Sequence, residues 1–131
     1  MVGLVLASHG TFCEGLKFSC EMIAGEVSQC ETCALMPGED PDAYGERLRC
    51  AIDNVDSGDG VLVLVDIKGG TPFNQSLMLC REKNIQIIVG TNLPMLLVVA
   101  LGRNEADNLD VLTDYSLADA KDSIDVIKYN R

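Results

Sequence analysis

The chain has 131 residues, a length typical of one domain. With 47% hydrophobic and 23% charged residues, its composition is that of a folded globular protein and excludes intrinsic disorder. Twenty acidic residues against ten basic ones give a net charge of −10, which argues against nucleic acid or an anionic membrane surface as a partner. We therefore expect a single domain over residues 1–131, with no direct membrane insertion.

The first half of the chain alternates predicted strands and helices. An apolar run predicts a strand over Val2–Ala7, and Thr11 with Glu14 forms a capping-box pattern for a helix that ends near Ala24, before Gly25. A weaker strand candidate follows at Cys30–Met36. The pair Asp40-Pro41 then marks an N-cap and a first helical residue, and the helix extends to about Asn54.

The second half repeats the pattern with stronger strands. Val61–Val65 and Ile85–Val89 are apolar without alternation, as in strands buried on both faces. Thr71-Pro72 marks the start of a helix to about Lys83, and Pro94 marks a helix over Met95–Leu101. An acidic amphipathic helix and a tail are expected between Asn104 and Arg131. The apolar residues that line one side of this segment are Leu109, Leu112, Leu117, Ile124 and Ile127.

This alternation predicts a doubly wound, flavodoxin-like α/β fold with helices on both faces of a mainly parallel sheet. In the common small version of this fold the strand order is 2-1-3-4, so the first and third strands are neighbours. Ligands bind beyond the carboxyl ends of the strands where the order reverses. The residues that follow the first and third strands are therefore the candidates for a functional site.

Those two strand ends carry an imidazole and a carboxylate. Ser8, His9 and Gly10 follow the first strand, and His9 is the chain's one histidine; Asp66 follows the third strand. A carboxylate bonded to one ring nitrogen fixes the tautomer and leaves the other nitrogen as a nucleophile or base. Gly69 and Gly70 permit close approach of the backbone to an anion, and a helix that starts at Thr71 offers free N–H groups to it.

The cysteines point to a reducing compartment. The chain has six, at positions 13, 20, 30, 33, 50 and 80. Only Cys30 and Cys33 form a CxxC pair, and no second pair completes a zinc site. The N-terminus has no basic region before its short apolar run, so no secretory signal is predicted. We expect reduced, mostly buried thiols in a cytoplasmic protein, with a redox role for Cys30 and Cys33 as the alternative. No metal or cofactor is expected, because the chain has neither clustered carboxylates nor a Walker A motif.

Four segments together resemble the mannose-family enzyme IIA component of the bacterial phosphoenolpyruvate:sugar phosphotransferase system. They are Val5-Leu-Ala-Ser-His9-Gly10, Met36-Pro-Gly-Glu39, Val63-Leu-Val-Asp66-Ile-Lys-Gly-Gly70-Thr-Pro-Phe-Asn74 and Gly90-Thr-Asn-Leu-Pro94-Met. The likeness runs in the same order through nearly the whole chain.

The resemblance implies a phosphotransferase with a phosphohistidine intermediate. His9 matches the histidine that accepts a phosphoryl group on Nε2 from the phosphocarrier HPr and passes it to the IIB component. The sugar is then phosphorylated as it crosses the membrane through the IIC and IID components. Asp66 matches the aspartate that holds the ring through Nδ1. The residues that match those around the phosphoryl group are Ser8, Gly10, Gly70, Thr71 and Asn74.

The resemblance also implies a homodimer in which an antiparallel edge strand is exchanged, and we expect a segment after Leu101 to supply that strand. The sequence departs from better-known members at Thr11 and Phe12, and at Lys68, where the family usually has an apolar or aromatic residue. Two alternatives to a sugar-transport component are a phosphorylated regulatory module of the dihydroxyacetone-kinase type and a non-catalytic anion-binding flavodoxin-like module. Neighbouring genes for IIB, IIC and IID components distinguish the first alternative, and the lack of covalent phosphate on His9 distinguishes the second.

Overall fold

The computed structural model of the chain describes residues 1–129 and contains four parallel strands in the order β2-β1-β3-β4. The strands are β1 (Gly3–His9), β2 (Cys30–Leu35), β3 (Val61–Val65) and β4 (Ile85–Val89). The predicted strand order is confirmed, and so is the weaker strand candidate at Cys30. His9 is the last residue of β1 rather than a residue beyond it.

Within residues 1–129, five helices cover the two faces of the sheet, as predicted. They are α1 (Phe12–Ala24), α2 (Pro41–Val55), α3 (Gly70–Leu79), α4 (Leu93–Gly102) and α5 (Leu109–Asp122). Apolar residues of α1, α4 and α5 pack on one face of the sheet, and those of α2 and α3 pack on the other. Asn130 and Arg131, the end of the predicted C-terminal segment, lie outside the described residues.

The central strands are apolar, β1 as far as Ala7 and β3 over its whole length, because both of their faces are covered. Leu62 and Leu64 point into the core beneath α1, α4 and α5, whereas Val61, Val63 and Val65 point toward α2 and α3. The two strands pair in register, with Ala7 opposite Val65. The next residues of each strand therefore emerge side by side at the carboxyl edge of the sheet.

Thr11 is the N-cap of α1, as predicted, but its side chain makes no capping bond, so the predicted capping box does not form. The Ser8 hydroxyl instead accepts the Cys13 N–H at 2.9 Å, so the capping box is not needed. The third helix begins at Gly70, with Gly69 rather than Thr71 at the N-cap. Pro72 fits there because the first-turn N–H groups have no partner within a helix.

The predicted cap at Asp40 is confirmed, and its side chain accepts the Ala43 N–H at 3.0 Å. The C-terminal segment differs from expectation. Its helix ends at Asp122, so Ile124 and Ile127 lie beyond it and are exposed, as is Leu117. The buried face of α5 consists of Leu109, Leu112, Ser116 and Ala120. Ile124 and Ile127 continue the 3.6-residue spacing of apolar residues, but the chain is no longer helical after Asp122.

All six cysteines are free, and four of them are buried, at positions 13, 20, 30 and 33. Cys30 and Cys33 lie three residues apart on β2 and belong to the cores on opposite faces of the sheet. Three strand residues span about 10 Å, which is too far for a disulfide. Burial also raises the pKa of the Cys30 thiol to about 11, which disfavours a reactive thiolate. These positions argue against a redox role for the pair.

Helix α4 is apolar on nearly all sides, from Leu93 to Leu101. Its ten residues rise about 15 Å, roughly half the thickness of a bilayer core. Within residues 1–129 no helix combines the length and the apolar character that a membrane crossing requires.

The hydroxyl of Ser116 is buried and has no hydrogen-bond partner among residues 1–129. We expect Ser116→Ala to raise the free energy of unfolding by about 1 kcal/mol, since it removes an unsatisfied buried polar group. Urea unfolding followed by circular dichroism measures the change.

Ser76 provides the matched control. It is equally buried in a helix, but its hydroxyl donates to the Pro72 carbonyl at 2.7 Å. Ser76→Ala therefore loses a formed bond and is expected not to stabilise the protein. Equal stabilisation by both substitutions would contradict the explanation.

Candidate active site

The carboxyl ends of β1 and β3 bring His9 and Asp66 into direct contact. Asp66 Oδ2 lies 2.9 Å from His9 Nδ1 and also accepts the His9 backbone N–H at 2.9 Å. The second carboxylate oxygen accepts the Ile67 N–H at 2.9 Å. Three bonds therefore fix the carboxylate, and one of its oxygens holds both the backbone and the ring of His9.

These bonds determine the tautomer of the histidine. Burial by itself raises the pKa of the Asp66 carboxyl, but the hydrogen bonds from the His9 backbone, the His9 ring and the Ile67 N–H bring it below its usual value. The carboxylate is therefore ionised at neutral pH and can only accept hydrogen bonds. Nδ1 must carry the proton, and in the neutral ring Nε2 keeps its lone pair.

The two side chains differ in their access to solvent. The Asp66 side chain is 14% exposed, whereas the His9 side chain is 45% exposed. A mostly buried carboxylate thus orients a ring that a second protein can reach. This combination suits a nucleophile that meets its reaction partner at the surface.

Gly70 lies against the reactive edge of the ring. A Cβ placed on Gly70 would be 3.0 Å from both His9 Cε1 and His9 Nε2. Gly70 is also the first residue of α3, so the unpaired N–H groups of that helix start beside Nε2. A helix N-terminus attracts negative charge, which makes this edge of His9 a suitable place for an anion.

Ser8 and Gly10 have defined positions next to His9. Ser8 is buried, and its hydroxyl donates to the Gly10 carbonyl at 3.0 Å while it accepts the Cys13 N–H. The Gly10 N–H donates to the Leu35 carbonyl at 2.7 Å, which attaches the loop after β1 to the end of β2. The Ser8 hydroxyl therefore shapes the loop that follows His9, and direct phosphate binding by Ser8 and Gly10 stays a prediction.

Thr71 and Asn74 lie in the first turns of α3, after Gly70. Asn74 is exposed and Thr71 is partly so. Neither side chain is hydrogen-bonded to another residue between positions 1 and 129. Their role around a bound anion stays a prediction, and the structure leaves both side chains available for it.

One supporting residue was not found from the sequence. Thr91 follows β4, and both its N–H and its hydroxyl donate to the Val65 carbonyl, at 3.2 and 2.8 Å. Val65 immediately precedes Asp66, so Thr91 secures the strand end that carries the carboxylate. A lone threonine in a loop gave no signal for this contact, because the bond joins residues 26 positions apart.

Exposed apolar side chains belong to the loops and helix start at the same edge of the sheet. We call Phe12, Met36 and Ile67 the apolar rim; each is about half exposed and follows the carboxyl end of β1, β2 or β3. Large apolar side chains left in solvent at a functional edge are typical of surfaces that meet another protein. The rim is therefore a candidate docking surface.

The arrangement supports nucleophilic chemistry at a single nitrogen. Across residues 1–129 no three His, Cys, Asp or Glu side chains cluster in a way that would hold a metal ion. Since the chain has one histidine, no second imidazole assists His9. The chemistry that this site offers is attack by Nε2 on an electrophile, with any resulting negative charge placed at the start of α3.

Comparison with known proteins gives a family for most of the chain. A model of the family described as the PTS (phosphotransferase system) fructose IIA component, EIIA-man, matches residues 3–115. The chain is 31% identical over 115 residues to the PTS system fructose-specific EIIA component of Bacillus subtilis (strain 168), covering 87% of this chain and 79% of that protein. It is 28% identical over 128 residues to the PTS system mannose-specific EIIAB component of Escherichia coli (strain K12), covering 97% of this chain. The chain spans only 40% of the length of that E. coli protein.

Solved structures agree with the sequence comparison. The phosphotransferase system component EIIA from Streptococcus agalactiae has a TM-score of 0.87 and 28% identity, covering 96% of this chain and 97% of that chain. The mannose/sorbose specific IIA subunit of the phosphotransferase system from Enterococcus faecalis has a TM-score of 0.89 and 25% identity, covering 99% of this chain and 97% of that chain. The four-strand order and the helices on both faces are therefore shared with solved proteins.

The contact between Gly70 and the ring predicts a site-specific effect on reactivity. Diethyl pyrocarbonate acylates a histidine nitrogen that has a free lone pair. We expect Gly70→Ala to slow this modification of His9 by roughly tenfold, because the added Cβ crowds Nε2. Peptide mass spectrometry after timed reaction measures the rate at His9.

Gly69→Ala is the matched control. Gly69 and Gly70 share a left-handed backbone, with φ of 83° and 80°, so alanine is strained at both positions. An added Cβ at Gly69 meets no atom within 4 Å. We expect both variants to lose stability, by about 1 kcal/mol, and only Gly70→Ala to slow the reaction. Equal rates in the two variants would rule out a steric role for Gly70.

Proposed function

Because the chain belongs to the mannose/fructose/sorbose-type IIA family of phosphotransferase systems, we propose that it is a phosphoryl carrier that works through His9. It accepts a phosphoryl group from phosphorylated HPr and passes it to a IIB component. The IIB component then supplies the IIC and IID membrane components, which couple sugar entry to sugar phosphorylation. The chain is thus a phosphotransferase with a phosphohistidine intermediate.

The observation that carries this proposal is the ring of His9, held at Nδ1 by Asp66 while Nε2 remains accessible. In the forward step the Nε2 lone pair forms a bond to phosphorus as the bond between phosphorus and the donor's nitrogen breaks. The donor's nitrogen keeps the electron pair. The proton on Nδ1 stays in its bond to Asp66, so no proton has to leave Nε2. Positioning and charge stabilisation supply the catalysis.

The residues around the anion follow from the position of Nε2. Gly70 leaves space beside Nε2 for a phosphoryl group, and α3 begins at this residue, so the N–H groups of the helix start are close by. Thr71 and Asn74 add side-chain donors on the same helix. Ser8 precedes His9 at the end of β1 and Gly10 follows it, and the Ser8 hydroxyl donates to the Gly10 carbonyl.

HPr and IIB take turns on one docking face in this proposal. Both must bring a phosphoryl group to Nε2, so both must contact the edge of the sheet where His9 is exposed. The apolar rim provides a surface that two different partners can bury. Transient complexes of this kind need only a small interface, which permits rapid release after transfer.

The proposal includes a homodimer and a cytoplasmic location. Within residues 1–129 the outer edge of β4 has no strand partner, and unpaired edges are normally covered. The segment after α5 carries exposed Ile124, Val126 and Ile127 close in sequence to a helix that packs on β4. That segment of a second copy is the proposed antiparallel edge strand. Six free cysteines fit a reducing compartment.

Phosphorylation of His9 is the direct test. With phosphoenolpyruvate, enzyme I and HPr, we expect the chain to gain one phosphoryl group that is labile in acid and stable in base. His9→Gln removes the nucleophile and is expected to abolish labelling, since the side chain is exposed and not needed for the core. Intact mass spectrometry measures the gain, and circular dichroism checks that the variant folds. Full labelling of the variant would contradict the proposal, and an unlabelled wild-type chain would favour a non-catalytic anion-binding module.

Asp66→Asn tests the orientation of the ring. Asp66 accepts N–H bonds on both oxygens, whereas an asparagine amide has only one acceptor atom, so one of these N–H groups loses its partner. We expect an intact fold and a transfer rate at least about tenfold lower. Rapid-quench measurement of transfer from phosphorylated HPr gives the rate. An unchanged rate would reduce Asp66 to a structural role.

A further inference from the structure

Lys68 stands between the two residues that contact the two nitrogens of the His9 ring. Asp66 holds Nδ1, and Gly70 lies against Nε2. Two steps of about 3.8 Å keep the Lys68 Cα within about 7.6 Å of the Gly70 Cα. A lysine stem extends its ammonium group by about 6 Å. The charge of Lys68 is therefore within reach of a group bonded to Nε2.

The ammonium group of Lys68 is available to bind an anion. The residue is exposed and makes no hydrogen bond or ion pair with any residue between 1 and 129. Several other cations are engaged elsewhere: Arg47 with Glu39, Arg49 with Glu82 and Lys83 with Asp53, whereas Arg103 is buried against backbone carbonyls. Lys68 is thus a free positive charge on the loop that flanks the nucleophile.

The net negative charge of the chain increases the effect that a cation at position 68 has on a bound anion. The chain carries a net charge of −10, and a carboxylate already lies against the ring. A phosphoryl group on Nε2 adds up to two further negative charges at the same place. An exposed cation on the adjacent loop offsets part of that repulsion without burying either charge.

We propose that Lys68 contacts the phosphoryl group on His9 Nε2 and stabilises the phosphorylated state relative to the free imidazole. This inference rests on the proposed function and assigns to it a further residue that binds the phosphoryl group. Lys68 takes no part in bond making: phosphorus moves from the donor's nitrogen to Nε2, and the ammonium group donates to a phosphoryl oxygen before and after the transfer.

Equilibrium measurements separate this role from a role in docking. The equilibrium constant between free HPr and the free chain depends only on the four uncomplexed proteins. Contacts made within a docked complex change the rates in both directions and cancel from the constant. A residue that stabilises phosphorylated His9 itself must change the constant.

Lys68→Met is the test variant, measured as the full chain with purified HPr and IIB. We expect the equilibrium constant for transfer from HPr to fall by roughly threefold to fivefold, the range of an exposed ion pair. The constant for onward transfer to IIB should rise by the same factor, because the same phosphorylated species is destabilised. Gels that retard phosphorylated proteins give the four concentrations at equilibrium.

Two further variants and the ionic strength complete the test. Lys68→Arg keeps the charge and is expected to retain the wild-type constant. Arg81→Gln removes one charge from an exposed position beyond the end of α3, about 15 Å along the helix, and is expected to change nothing. Added salt should reduce the difference between the wild type and Lys68→Met.

Unchanged equilibrium constants with altered rates would overturn the inference and place Lys68 in docking. An equal effect of Arg81→Gln would also overturn it, in favour of a general effect of net charge. If Lys68→Met behaves as wild type while His9 is still phosphorylated, this inference fails and the proposed function stands. If the wild-type chain accepts no phosphoryl group, the proposed function fails, and the inference fails with it.

Discussion

The contact between the Asp66 carboxylate and the His9 ring is the interaction on which the site depends. It exists because β1 and β3 are adjacent, parallel and in register, so that residues 57 positions apart in sequence emerge together. The two strands are fully apolar up to that point, and the first polar groups after the buried segment are those that form the site. The buried strand segments therefore determine where the polar residues of the site begin. The Asp66 carboxylate then holds the proton on Nδ1, so Nε2 is the ring nitrogen with a free lone pair.

Several weaker contacts hold this pair in place. The Ser8 hydroxyl ties the end of β1 to the first turn of α1, and the Gly10 N–H ties the same loop to β2. On the other side, Thr91 ties the end of β3 to the loop after β4. All of these bonds lie at the carboxyl edge and involve loops rather than the sheet interior. An exposed ring can stay oriented because both strand ends that flank it are attached to their neighbours.

The sequence was informative where a pattern is local or periodic. The apolar strands, the Asp40-Pro41 helix start and the strand order followed from composition, capping chemistry and fold rules, and the unique His9 led to its partner. The Ser8 cap was missed because it acts across five residues, outside the usual capping spacing. The start of α3 was placed too late because Gly69 and Gly70 carry no side-chain signal for a cap. Thr91 was missed because its bond is long-range, and long-range pairs have no signature in a single sequence.

The proposed phosphoryl transfer places a further requirement on the site. A phosphoryl group held by several buried cations would be stable, and a stable phosphohistidine would not pass its group to the next protein. Here the ring is 45% exposed, one edge faces a helix start, and the hydrogen bond to the Asp66 carboxylate is made by Nδ1 rather than by Nε2. In the proposed function, Asp66 therefore orients the nucleophile without contacting the transferred group. Transfer in both directions requires phosphorylated and free states that are close in free energy, and this separation of orientation from binding meets that requirement.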